Sequence, residues 1–75
     1  FAFGRAEFLR ARFDLAHQHL TVAARASGEQ QRAARVWLAA VHYLTGELAE
    51  AEKLQADFSD ADRRLFRRLL SLHGF

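Results

Sequence analysis

VHYLTGELAEAEKL, residues 41–54, decides how this chain is read. An apolar helical run reaches Leu44, meets Thr45-Gly46, and restarts at once with Glu47, Leu48, Glu50 and Ala51. Glycine enters the left-handed backbone region freely and so ends a helix. Glutamates suit the positive end of the helix that follows. The pattern predicts an antiparallel hairpin, with one helix from Gln30 to Leu44 and a second from Glu47 to about Asp57.

Outward from that turn, the composition agrees. Proline and cysteine are absent, four glycines are the main helix breakers, and alanine, leucine, arginine and glutamate are abundant. These are good helix formers, so an all-α fold is expected. Seventy-five residues make one domain. A chain of that size buries only about 60–65% of the surface it exposes when unfolded. Without cysteine there are no disulfides, no thiolate chemistry and no zinc site built on sulfur. The formal charge of +2 is too small for a bulk attraction to nucleic acid. No apolar run approaches the roughly 20 residues needed to cross a bilayer, and no signal-peptide pattern is visible, so a cytoplasmic location without membrane insertion is expected. Arginine outnumbers lysine ten to one, which suggests a GC-rich bacterial source, and the lack of methionine suggests a piece of a longer protein.

Helix punctuation is clearest near the C-terminus. Ser59 with Asp62 has capping-box spacing, and Asp60 joins it in a first turn. Leu65, Leu69 and Leu72 share a face beside Phe66 and Leu70, and His73-Gly74 supplies a cationic last turn and a left-handed stop, giving a helix over about 60–73. Upstream, Ala26-Ser27-Gly28-Glu29 reads as a break, with Gly28 ending one helix and Ser27 with Gln30 capping the next. Helix 30–44 carries two apolar stripes, Trp37/Val41/Leu44 and Val36/Ala40/Tyr43, so it packs on more than one side. Residues 5–26 fit either one long helix or two with a break near Ala11-Arg12.

A shift of 35 residues brings Phe3 onto Leu38, Gly4 onto Ala39, Phe8 onto Tyr43, Leu9 onto Leu44, Ala11 onto Gly46, Phe13 onto Leu48 and Ala16 onto Ala51. Size classes match more often than identities. Leu38-Ala39, followed by Gly46, Leu48 and Ala51, resembles the tetratricopeptide repeat, a helix-turn-helix unit of about 34 residues. His42 stands where that family usually has tyrosine, and Gln55 where it usually has an aromatic residue. The resemblance implies four to five helices in antiparallel hairpins stacked as a short right-handed array. Residues 1–26 would form a degenerate first hairpin, 30–58 the best-matching one, and 59–74 a capping helix. An ordinary antiparallel bundle gives the same double stripe and stays open.

The resemblance also implies a function: a non-catalytic protein–protein interaction or scaffolding module, part of a larger bacterial regulatory protein. Its concave surface would be lined by the first helix of each hairpin. On this sequence that face carries Arg5, Phe8, Val36, Ala40 and Tyr43, with Leu9 and Leu44 leaning toward the core. A protein or peptide partner is expected, and no cofactor.

Other chemistry is weakly signalled. His17 and His19 are two apart on a helix and project to different sides, so no metal site is expected. His42, flanked by apolar residues, is expected to pack or hydrogen-bond inside its hairpin. Glu47, Glu50 and Glu52 sit where helix electrostatics favour acids, and no phosphate loop or nucleophile elbow accompanies them. Arg63, Arg64, Arg67 and Arg68 form two i,i+4 rows on the last helix. They read as a solvated flank, with Asp60 facing Arg64, or as a phosphate contact for nucleic acid or anionic lipid.

Overall fold

The computed structural model describes residues 2–26 and 28–74, so the proposed cap at Ser27 lies outside the described residues. They form five helices and no strand: α1 (Ala2–Leu9), α2 (Phe13–Arg25), α3 (Glu29–Leu44), α4 (Leu48–Gln55) and α5 (Asp60–Ser71). The all-α expectation holds, and the 5–26 segment is two helices, not one.

Helix α3 is the hub. It packs against α2, α4 and α5 and touches α1. Its residues Val36 to His42 are buried without interruption, as expected of a helix covered on several sides. Three alanines, Ala34, Ala39 and Ala40, are fully buried there and let neighbouring backbones come close. Around this hub sit Phe8 of α1, Ala16 and Leu20 of α2, and Phe66 and Leu69 of α5. Gly4 serves the same end between α1 and α2: a Cβ there would lie 2.8 Å from the Leu20 side chain.

The two hairpin turns are alike in detail. Helices α1 and α3 end at Leu9 and Leu44, and α2 and α4 begin at Phe13 and Leu48, each 35 residues apart. In the first turn the Ala11 N–H donates to the Phe8 carbonyl (3.0 Å) and the Arg12 N–H to the Glu7 carbonyl (2.8 Å). In the second, Gly46 N–H donates to Tyr43 (3.2 Å) and Glu47 N–H to His42 (2.8 Å). Both are Schellman closures around one left-handed residue, Ala11 at φ 59° and Gly46 at φ 86°. The next residues, Arg12 and Glu47, match to within a few degrees at φ −89°, ψ 71° and φ −86°, ψ 65°.

Alanine in the left-handed region costs roughly 1–2 kcal/mol, partly offset by the greater unfolded-state freedom that glycine would bring. Ala11→Gly is therefore expected to stabilise the protein by about 1 kcal/mol, and Gly46→Ala to destabilise it by about as much. No atom lies near a Cβ at Gly46, so strain alone sets that change. Urea denaturation checks both; equal signs for the two would show that the turns differ.

Between the hairpins, α2 closes on Ala26, whose N–H bonds to the Ala23 and Val22 carbonyls. Gly28 is expected from the sequence to end α2, but α2 ends before it. It is the N-cap residue of α3, at φ 117°, where L-residues are strained. The start of α5 is the expected capping box, with Ser59 and Asp62 exchanging both bonds. Asp62 is also held by Arg32 at 3.0 Å. Burial would raise its carboxyl pKa, but the Ser59 hydrogen bonds and the Arg32 charge outweigh that and hold it below the ordinary value. Arg35 grips both oxygens of Asp57, at 3.2 Å each, so α3 pins the loop between α4 and α5.

His73 does more than complement a helix end. Its Nε2 lies 2.9 Å from the Phe8 carbonyl oxygen, and its ring meets Phe8 and Phe13 edge-on. Gly74 follows at φ 90°, the expected left-handed stop.

Candidate functional site

The face expected to meet a partner is mostly closed. Phe8, Val36 and Ala40 are 0% exposed and belong to the core. Phe8 packs edge-on to Trp37 (5.2 Å between centroids) and to Phe13 (5.9 Å). The expectation that these three line a contact surface is corrected: α3 is sheathed by α2, α4 and α5, so both of its stripes are used internally. Tyr43 is half-buried against Phe66. Arg5 is exposed and spreads its guanidinium over Trp37, 5.3 Å from the ring centroid. Leu9, expected to lean inward, is 55% exposed, and Leu44 is half-buried.

The arginine rows are where the sequence put them. Arg63, Arg64, Arg67 and Arg68 are all exposed on α5. Among the described residues none of them has a carboxylate within ion-pair distance, so the expected Asp60–Arg64 pair is absent; the pairs formed use Arg32, Arg35 and Lys53. With four arginines against two aspartates, α5 carries the whole formal net charge of +2.

The open concavity lies elsewhere. The short turns make α2 and α4 both antiparallel to α3, so they run in the same sense on either side of it. Between them is a groove of about 540 Å³. Its walls are His17, Thr21, Ala24 and Arg25 of α2, and Glu47, Glu50, Lys53 and Leu54 of α4 with its cap; Leu38 and His42 of α3 form the floor. A second hollow, sharing His17 and Glu47, extends it past Asp14 and Gln18. The wall residues recur every three to four positions, as neighbours on one helix face must.

His42 is the unusual member. It is 8% exposed, and its Nδ1 has no hydrogen-bond partner. Glu47 Oε1 stands 3.5 Å away, too long for a hydrogen bond but close enough for an ionic contact if the ring is protonated. The His17 ring meets it edge-on at 5.1 Å. His19 turns the other way and bonds Glu7 of α1, so the two α2 histidines are indeed separated. Among the described residues no group of three or more His, Cys, Asp or Glu is placed to hold a metal ion, and no helix is long and apolar enough to cross a membrane.

No protein-family model, curated protein or solved structure matches the chain. Sequence reasoning missed the groove because its lining is drawn from three helices, and no single stripe marks it. The one available signal was His42 itself, a polar residue inside an apolar run.

Proposed function

We propose that the chain is a non-catalytic protein–protein interaction or scaffolding module, a tetratricopeptide-like pair of helical hairpins with a fifth helix, serving a regulatory protein in the cytoplasm. The observation that carries this reading is the duplicated turn: the same hydrogen bonds, and a left-handed residue at the same place, recur 35 residues apart. Stacked hairpins of one kind leave a groove between their second helices, with half-buried apolar and polar side chains on fixed helical walls. Recognition by such a surface needs no chemistry beyond burial and hydrogen bonding.

The reading is tested by selecting binders from a displayed library of random helical peptides. Binders are expected whose attachment is lost on Thr21→Arg, which fills the groove from α2, while the melting temperature stays within a few degrees. An absence of binders, or binders indifferent to Thr21→Arg, would overturn it.

A second reading rests on the unpaired arginines of α5. Exposed guanidiniums at i,i+4 spacing suit phosphate contacts, so helical nucleic-acid binding is the alternative. It expects binding that weakens steeply with salt and disappears on Arg64→Glu with Arg68→Glu. Peptide binding that survives this double reversal favours the groove.

A further inference from the structure

The groove between α2 and α4 has a direction. At one end stand Asp14, in the first turn of α2, and Glu47, at the N-cap of α4. At the other stand Arg25 and Lys53, in the last turns of the same two helices. Because α2 and α4 run in the same sense, their like charges fall at the same ends and reinforce one another. Asp14 and Arg25 have no ion-pair partner among the described residues. Glu50 lies between the ends and meets Lys53 at 3.4 Å, but both side chains are more than half exposed, so that pair holds Lys53 only weakly. From Asp14 to Arg25 is about 16 Å of helix, or three turns.

From this we propose that the groove receives an amphipathic helix of a partner protein in one polarity, acidic N-terminal end beside Arg25 and Lys53, basic C-terminal end beside Asp14 and Glu47. The inference rests on the interaction reading above. Two features fit such an occupant together. Leu38, Leu54 and Ala24 offer the apolar contact for its inward stripe. Charges at both ends select its direction, since the reverse orientation sets acid against acid and base against base. That direction is also the one a helix favours by itself, because carboxylates stabilise its N-terminus and cations its C-terminus.

The probe is a displayed library of alanine-rich helical peptides of about 14 residues, with a leucine stripe on one face and charged positions varied over Glu, Lys and Gln. Among binders lost on Thr21→Arg, those with Glu in the first turn and Lys in the last are expected to outnumber the reverse order by roughly tenfold. Arg25→Glu combined with Glu47→Lys should invert that preference. If the double variant does not fold, Arg25→Gln alone should flatten the preference for Glu in the first turn. Groove-directed binders with no charge order, or with an order these variants leave unchanged, would overturn the polarity while leaving the interaction reading standing. A library with no groove-directed binder would sink both.

Discussion

Phe8→Ala is expected to be a severely damaging truncation, lowering stability by about 3–5 kcal/mol. At roughly 0.05–0.15 kcal/mol per residue, a chain of this length holds only about 4–11 kcal/mol in total. The substitution therefore removes much of the margin. The ring is fully buried and meets three others, Trp37 at 5.2 Å, Phe13 at 5.9 Å and His73 at 4.9 Å between centroids. Edge-to-face contacts of this kind add to what burial alone supplies. Urea denaturation should show a lower midpoint with a similar slope, and near-native spectra in water only if the residual margin suffices. Leu72→Ala, at an exposed leucine of the C-terminal turn, is the matched control and should change little. A loss at Phe8 of less than about 1 kcal/mol would mean that the aromatic cluster is not formed.

The second large effect is expected at Gly4. A Cβ there lies 2.8 Å from both Cγ and Cδ2 of Leu20, and Leu20 is fully buried. Gly4→Val should therefore cost about 1–3 kcal/mol through overpacking. The damage should be local at first. Helix α1 has eight residues, and helices that short do not persist without a surface to lie on. Hydrogen exchange should accelerate in α1 and the turn after it, while the amides of α5 behind the Ser59 cap keep their protection. Leu20→Ala removes the side chain that is struck. In that background Gly4→Val should cost clearly less than in the parent, a coupling read from the four-variant cycle. Strictly additive losses would contradict the close approach of α1 and α2.

Much of this architecture is legible in the chain. The Ser59–Asp62 cap and the Gly46 turn are local devices, each made by residues within a few positions of one another, and both appear where their spacing places them. The turn at Ala11 is harder, because alanine is a helix former and nothing in its own chemistry announces a left-handed conformation. Only its counterpart at Gly46 marks it. What the sequence does not carry is the assignment of faces. Val36, Ala40 and Phe8 have the size and spacing of either a contact surface or a core, and periodicity is the same for both. Which it is depends on how many neighbours a helix has, and α3 has four. Likewise His73 is read from its position as a helix-end cation, whereas its partner is a carbonyl 65 residues away. The groove is hard to see for the same reason: Thr21 and Lys53 are unremarkable apart, His42 stands out only as a polar residue inside an apolar run, and the antiparallel placement of three helices makes them a surface.

That distant contact of His73 has a consequence for how the molecule comes apart. In an open stack each unit leans only on the next, and fraying can begin at an end and travel. Here the tail of the fifth helix is fastened to the first helix through the Phe8 carbonyl and two aromatic rings. The topology is closer to a clasped bracelet than to a ladder. Fraying from either end must first undo the clasp, so loosening of α1 and release of the turn after α5 are coupled events.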